Sequence, residues 1–400
     1  MRHFLLLFLL SLSFGQEVLL LDPRKVYELA LKNNKELQKL EHQIKALEID
    51  YQLAQKYYLP VVYAGASLLY DMDKKNIRTE GSLTVISTLY ELQKTRSRIE
   101  LSKIRRDIAH VMLQQLHRDL QLKILKLFSD AQIYRKLAEV KREEMAIAYV
   151  RFDRARERKE LGLATEHEVL KLESLYREKR SELLQAQHLY NHTLLEVKNL
   201  AGISLETIIQ LKELDFREPE RQVLDFSQLR EEILRENSGL KIKDMEIRMY
   251  EEDIKLARQV VMPRVNLRIS TNKSGLELST PIYDAGRGYK IDYLLSFKRS
   301  AQSERENLEQ SLRLISLSAP YEWEFLRAKL VEAYAKDRFA EENLTLRRSE
   351  YELELAFDLG YAMAEKSEAE RQLMEARYKL LLFWARLFSI AGREPFSLLE

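Results

Sequence analysis

Sliding the chain along itself by 203 positions aligns residues 22–62 with 225–265 without a gap, and twelve of the 41 pairs are identical. The identities include Glu28/Glu231, Asn34/Asn237, Leu37/Leu240, Glu48/Glu251, Asp50/Asp253, Leu53/Leu256, Ala54/Ala257 and Pro60/Pro263. Self-similarity at a fixed offset is the signature of an internal repeat. Two structurally equivalent halves are therefore expected, 16–202 and 225–400, joined by a linker over 203–224.

Sparse punctuation decides what each half is made of. In 400 residues there are 11 glycines and 7 prolines, with no proline between Pro60 and Pro219 and no glycine between Gly81 and Gly162. Such stretches favour very long helices. From Leu113 the apolar positions Leu116, Leu120, Ile124, Leu127, Ala131, Tyr134 and Ala138 follow in steps of three and four, which is a coiled-coil stripe. A helical hairpin is expected over about 92–200. Gly162 supplies a left-handed cap at its tip and Thr165 the N-cap of the return helix. A second hairpin is expected over about 287–391, turning near Gly360, with a kink or break at Ser318-Ala319-Pro320.

After each repeat-opening helix the period changes to two. Val265, Leu267 and Ile269 alternate with Arg264, Asn266, Arg268 and Ser270, and Leu276 and Leu278 alternate with Gly275, Glu277 and Ser279. This reads as a hairpin with legs of about 264–270 and 275–283, one face apolar and one polar. Its counterpart spans about 61–70 and 81–90, with Val62, Ala64, Ala66 and Leu68 facing Leu83, Val85 and Leu89. Alternation alone leaves a soluble core face and a lipid face equally open. Lipid forbids open sheet edges, and four strands enclose no useful pore. Three copies would give twelve, enough to close a barrel with Arg264, Arg268 and Glu277 turned to a watery interior. The second hairpin's legs are shorter than the ~9–11 residues of a usual membrane strand.

Composition excludes several functions. Cysteine is absent, so disulfides, thiolate metal sites and cysteine nucleophiles are ruled out. Lys+Arg number 65 against 63 Asp+Glu, which leaves no field for attracting nucleic acid. Residues 1–15 read as a signal peptide: Arg2, an apolar core from Phe4 to Leu12, then Ser13-Phe14-Gly15. No phosphate loop, nucleophile elbow or zinc-binding helix occurs, so an enzyme is not expected and no cofactor is implied. His188 and His192, four apart on one helical face, form the one metal candidate.

The segment Pro281-Ile282-Tyr283-Asp284-Ala285-Gly286-Arg287 resembles the strand-to-helix junction of the TolC family of outer-membrane efflux channels. The openings from Leu29 to Leu37 and from Leu53 to Pro60, and the turn at Gly162 with Thr165, are also family-like. In the first half Thr88-Leu89-Tyr90-Glu91-Leu92-Gln93-Lys94 keeps the aromatic, acid and base of the junction without its proline and glycines.

The resemblance implies a mainly α fold with a small β part. Long coiled-coil α-helical hairpins and four strands per chain would trimerise into a 12-stranded β-barrel continuous with an α-helical barrel. It implies a homotrimer in the cell outer membrane and its lipid, extending into the periplasm. Such a channel is the passive exit duct of a tripartite efflux or type I secretion system. Its partners would be a periplasmic adaptor (membrane fusion) protein and an inner-membrane transporter, with no nucleic acid.

Leu161, Gly162, Thr165, Leu359 and Gly360 become candidate adaptor-docking tips. Asp358, Tyr361, Glu365 and Glu368 become candidate aperture residues. The reading set against this is a periplasmic coiled-coil scaffold or adaptor-like protein without a pore, and a metal-dependent enzyme built on His188 and His192 is a further rival.

Overall fold

The computed structural model describes residues 18–56, 58–71, 76–90, 92–214, 216, 225–258, 264–270, 274–279, 284–352 and 359–399. The signal-peptide reading, Pro281, Tyr283 and Asp358 lie outside them.

The repeat is reproduced element by element. Helices α1 (Pro23–Asn33) and α2 (Lys35–Gln55) correspond at an offset of 203 to α5 (Phe226–Glu236) and α6 (Ser238–Arg258). Asp22 and Asp225 cap α1 and α5 through their carboxylates. At the break between paired helices, Asn237 does two things. Its Oδ1 accepts from Leu240 N at 3.2 Å and its Nδ2 donates to Ile390 O at 2.9 Å. The first half divides this work: Asn34 Oδ1 accepts from Glu36 N and Leu37 N, while Asn33 Nδ2 donates to Ala201 O. In both cases an asparagine starts one helix and an asparagine amide ties the break to the end of another, which is why amides recur there.

Each pair leads through a β-hairpin into a helical hairpin. Strands β2 (Val61–Asp71) and β3 (Asn76–Tyr90) feed α3 (Leu92–Glu160) and α4 (Glu166–Ala201). Strands β5 (Arg264–Ser270) and β6 (Ser274–Ser279) feed α7 (Arg287–Glu352) and α8 (Leu359–Ile390). With 69 residues, α3 is on the order of 100 Å long. Helices α4 and α8 end identically. Gly202 and Gly392 adopt φ of 67° and 80°, and the residue after each donates back to Lys198 O and Phe388 O. That is the left-handed cap with its paired bonds.

The main core lies where the two halves cross near mid-helix. It joins Leu21, Val26 and Leu37 to Ile124, Leu125 and Phe128 of α3, Ile233 of α5, Leu330 of α7 and Leu380, Leu381 and Trp384 of α8. Phe226 stacks on Trp384 and tilts against Trp323. Two three-residue strands, β1 (Leu19–Leu21) and β4 (Ile209–Leu211), pair in parallel there. The expected linker thus contains a strand, and residues just past the expected signal peptide supply its partner. Of the kink or break expected at Pro320, the break is absent, since α7 continues through it. Ala319 and Leu330 are buried and Trp323 packs on the core on either side of the proline, so tertiary packing outweighs the lost hydrogen bond.

Candidate functional site

Strand order in the larger sheet is β2-β3-β5-β6. Helices in contact repeat that order: α2 packs on α3, α3 on α6 and α6 on α7. Toward the tips the row is α4 on α3, α3 on α8 and α8 on α7. Each chain is therefore a single row of elements with two margins. One margin is β2, α2 and α4; the other is β6 and α7. Among the described residues neither β2 nor β6 has a second strand neighbour.

The register assembles one apolar face across all four strands. Val62 stands opposite Val85, Val85 opposite Ile269, Ala64 opposite Leu83, Leu267 opposite Leu276 and Val265 opposite Leu278. Leu276 and Leu278 are each 70% exposed, and among the described residues no helix packs broadly over the sheet. A soluble sheet would cover such a face, so the lipid reading gains over the core reading. Arg268 and Glu277 project together from the other face, 3.4 Å apart, beside Asn266. For Arg264 only the backbone is described.

At the junction into α7, Asp284 Oδ1 accepts from Gly286 N at 3.0 Å, an Asx turn that starts the helix. Arg287 Nε donates to Ala257 O at 2.9 Å, and its Nη2 reaches Arg258 O. The basic residue of the motif thus caps the last carbonyls of α6, binding the helix that enters the sheet to the helix that leaves it.

The first tip is a tight reversal. Gly162 takes φ of 73°, and Leu163 N donates to Arg158 O at 2.7 Å. Thr165 Oγ1 accepts from Glu168 N at 3.2 Å and so caps α4. Lys159 pairs with Glu166, and Arg158 bonds Leu163 O. Leu161 and Leu163 are left 74% and 65% exposed. Sequence alone does not single out Leu163, because a leucine between a glycine and a capping threonine looks like filler.

Leu359 and Gly360 lie in the first turn of α8, directly after residues 353–358, which are outside the described residues. The start of α8 lies against α3: a Cβ on Gly360 would stand 3.4 Å from Ile147 Cγ1, an ordinary contact distance. Tyr361 lies under the Arg151 guanidinium at 4.4 Å. Glu365 accepts from Asn343 Nδ2 at 2.6 Å.

Glu368 is half-buried and held by Arg371 at 2.7 Å and by Gln372 at 2.8 Å. Burial pushes its pKa up, but the Arg371 and Gln372 bonds outweigh burial and hold the carboxyl below its ordinary range. Two residues earlier, burial works against the charge of Lys366, while Asp337 at 2.8 Å and Glu341 at 2.9 Å raise its pKa. Glu370 links this cluster to Lys136 of α3 at 2.8 Å.

His188 and His192 have ring centroids 6.0 Å apart, and His192 Nδ1 is 3.8 Å from Glu196. Among the described residues no group of three or more His, Asp or Glu could hold a metal ion.

Residues 26–203 match the sequence model of the outer membrane efflux protein family. Curated proteins yield no match.

Among solved structures, the chain resembles the outer membrane channel CmeC of Campylobacter jejuni at 14% identity and TM-score 0.71, over 92% of this chain and 85% of that one. It resembles the outer membrane protein VceC of Vibrio cholerae at 13% identity and TM-score 0.70, over 93% and 96%. A membrane protein from Pseudomonas aeruginosa matches at 17% identity and TM-score 0.69, over 93% and 90%. The likeness carries the TolC-type fold, mainly α with a small β part, across both halves.

Proposed function

We propose that three copies of this efflux protein close into one tube, an outer-membrane exit duct through which solute passes from the periplasm or a pump to the exterior. The observation that carries the reading is the single row with two open margins. An apolar sheet face and two unpaired strand edges are stable in lipid only if the row closes on further copies. Three copies supply twelve strands, with Arg268 and Glu277 on the water side of the wall. This is a transport role, without a reaction.

The internal repeat supports how the margins meet. Within the chain, α3 of the first half contacts α6 and α8 of the second. The equivalent of α3 in the second half is α7, and the equivalents of α6 and α8 in the first are α2 and α4. Closure therefore pairs α7 of one copy with α2 and α4 of the next, and β6 with β2. Large exposed apolar residues stand on both margins: Tyr293, Leu314 and Tyr321 on α7, Leu53 on α2, Leu184 on α4. An interface would cover them.

At the far end, Leu161, Leu163 and Thr165 suit docking of a periplasmic adaptor linked to an inner-membrane transporter. Asp358, Tyr361 and Glu365 are assigned to the narrow end of the tube, whereas the ion pairs of Glu368 favour a structural part for it. Planar-bilayer recording tests the duct: purified protein gives discrete, trimer-dependent conductance steps, and a conductance-silent monomer would leave the scaffold reading in place.

A further inference from the structure

The two hairpins of the sheet end at different heights. Strand β2 pairs with β3 along its whole length, from Val61 opposite Ile86 to Asp71 opposite Asn76. Strand β3 meets β5 only between Thr84 and Tyr90. The eight residues 76–83 of β3 therefore have a strand partner on one side only among the described residues. At ~3.3 Å per residue the first hairpin outreaches the second by roughly 25 Å. The connection between β5 and β6 is residues 271–273, too few to run along that edge.

Composition changes toward the same end. Residues 61–70 and 81–90 carry no charge, whereas 71–80 hold six: Asp71, Asp73, Lys74, Lys75, Arg78 and Glu80. Hydrocarbon does not tolerate a strand edge whose N–H and C=O groups lack partners. Water does, and charge on an exposed edge is a common guard against unwanted pairing. Register thus marks where one-sided pairing begins, at Leu83, and charge gathers in the far part of the same stretch.

We propose that the hydrocarbon layer ends level with β5 and β6, and that the outer parts of β2 and β3 stand free in water as three ribbons around the mouth, with a side opening between neighbouring ribbons. The proposal rests on the trimeric duct. Strands β5 and β6 separate β3 from the β2 of the next copy, so each opening is three strand spacings wide, ~14 Å. That admits a small hydrated solute. Solute then leaves sideways above the membrane surface as well as along the axis.

The chain has no cysteine, so single-cysteine labelling reads the boundary directly. Thr79→Cys and Glu80→Cys, adjacent and therefore on opposite faces of β3, are treated on intact cells with a membrane-impermeant maleimide, with Leu278→Cys as the lipid-face control. Both ribbon positions are expected to label fully and the control to stay protected. Labelling at only one of the two, the pattern of a strand with one face in lipid, overturns the proposal.

A second variant replaces 67–80 by a two-residue Asn-Gly turn, and is expected to keep the outer-membrane trimer and its conductance. Loss of the trimer in that variant, with the full chain still trimeric, also counts against free ribbons. A full chain that is itself monomeric and silent fails the duct reading instead.

Discussion

Gly360 of α8 seats against Ile147 of α3, a Cβ at the glycine standing 3.4 Å from Ile147 Cγ1. The contact places the start of α8 well short of the first tip, which lies thirteen residues further along α3 at Glu160. The two helical hairpins therefore reach different depths, as their hairpin strands do at the other end.

Substitution at Gly360 should follow this contact. Alanine fits at ordinary van der Waals distance and is helical, so Gly360→Ala is expected to be neutral or to stabilise by ~0.5 kcal/mol. Gly360→Leu overpacks and is expected to cost about 1–3 kcal/mol, with partial recovery when combined with Ile147→Ala. Hydrogen exchange of the first turns of α8 reads both. Equal exchange in the two single variants would show that the seat has no structural role.

Among the described residues three glycines have positive φ, and two of them should separate by their surroundings. At Gly162 an added Cβ would meet nothing within 4 Å, so Gly162→Ala costs only the left-handed penalty of ~1–2 kcal/mol. At Gly202 an added Cβ would come within a clash of Asn33 Cβ, breaking the Asn33 bond to Ala201 as well. Gly202→Ala is expected to be the worse by at least ~1 kcal/mol, read as the shift in denaturant midpoint. The reverse order would contradict the assignment of Asn33 as a tie between α1 and α4.

Arg287 is expected to behave as a cap and not as a general surface charge. Arg287→Lys keeps the charge but loses the fork that spans two carbonyls. Both Arg287→Lys and Arg287→Ala should destabilise, by roughly 1–2 kcal/mol for alanine, and both should speed exchange at the end of α6. Full rescue by lysine would mean that charge alone matters.

For Glu368 the sign of the pH effect is fixed by its lowered pKa. Its contribution is present above the ordinary carboxylate range and is lost as pH falls through the lower folded value. Glu368→Gln should remove stability at neutral pH and flatten that acid limb, while conductance and cation preference stay unchanged. A change in cation preference would move Glu368 to the pore lining.

Much of the molecule is legible in the sequence where a pattern has one physical cause. The gapless repeat locates α1, α2, α5 and α6, because gapless identity preserves helix ends. Gly162 and Thr165 announce the first tip, since few other residues take those conformations. Gly360 stands in the first turn of α8, and its contact with Ile147 of α3 is encoded by no local pattern. Strands β1 and β4 escape because three residues carry no readable period and their partners lie far apart in sequence. The ion pairs at Glu368 and Lys366 depend on α3, α7 and α8 meeting, which only the fold decides.

Closure of the row between copies is tested most directly by crosslinking its margins. Glu100 of α3 lies near Lys255 of α6 within the chain, and the repeat carries that neighbourhood to Tyr293 of α7 and the Leu53 region of α2 in the next copy. In the cysteine-free chain, Tyr293→Cys with Leu53→Cys is predicted to give a ladder of covalent dimer and trimer in outer membranes, and neither single variant should do so. A doubly substituted chain that stays monomeric under oxidation, in membranes where the protein is abundant, would contradict closure by these margins.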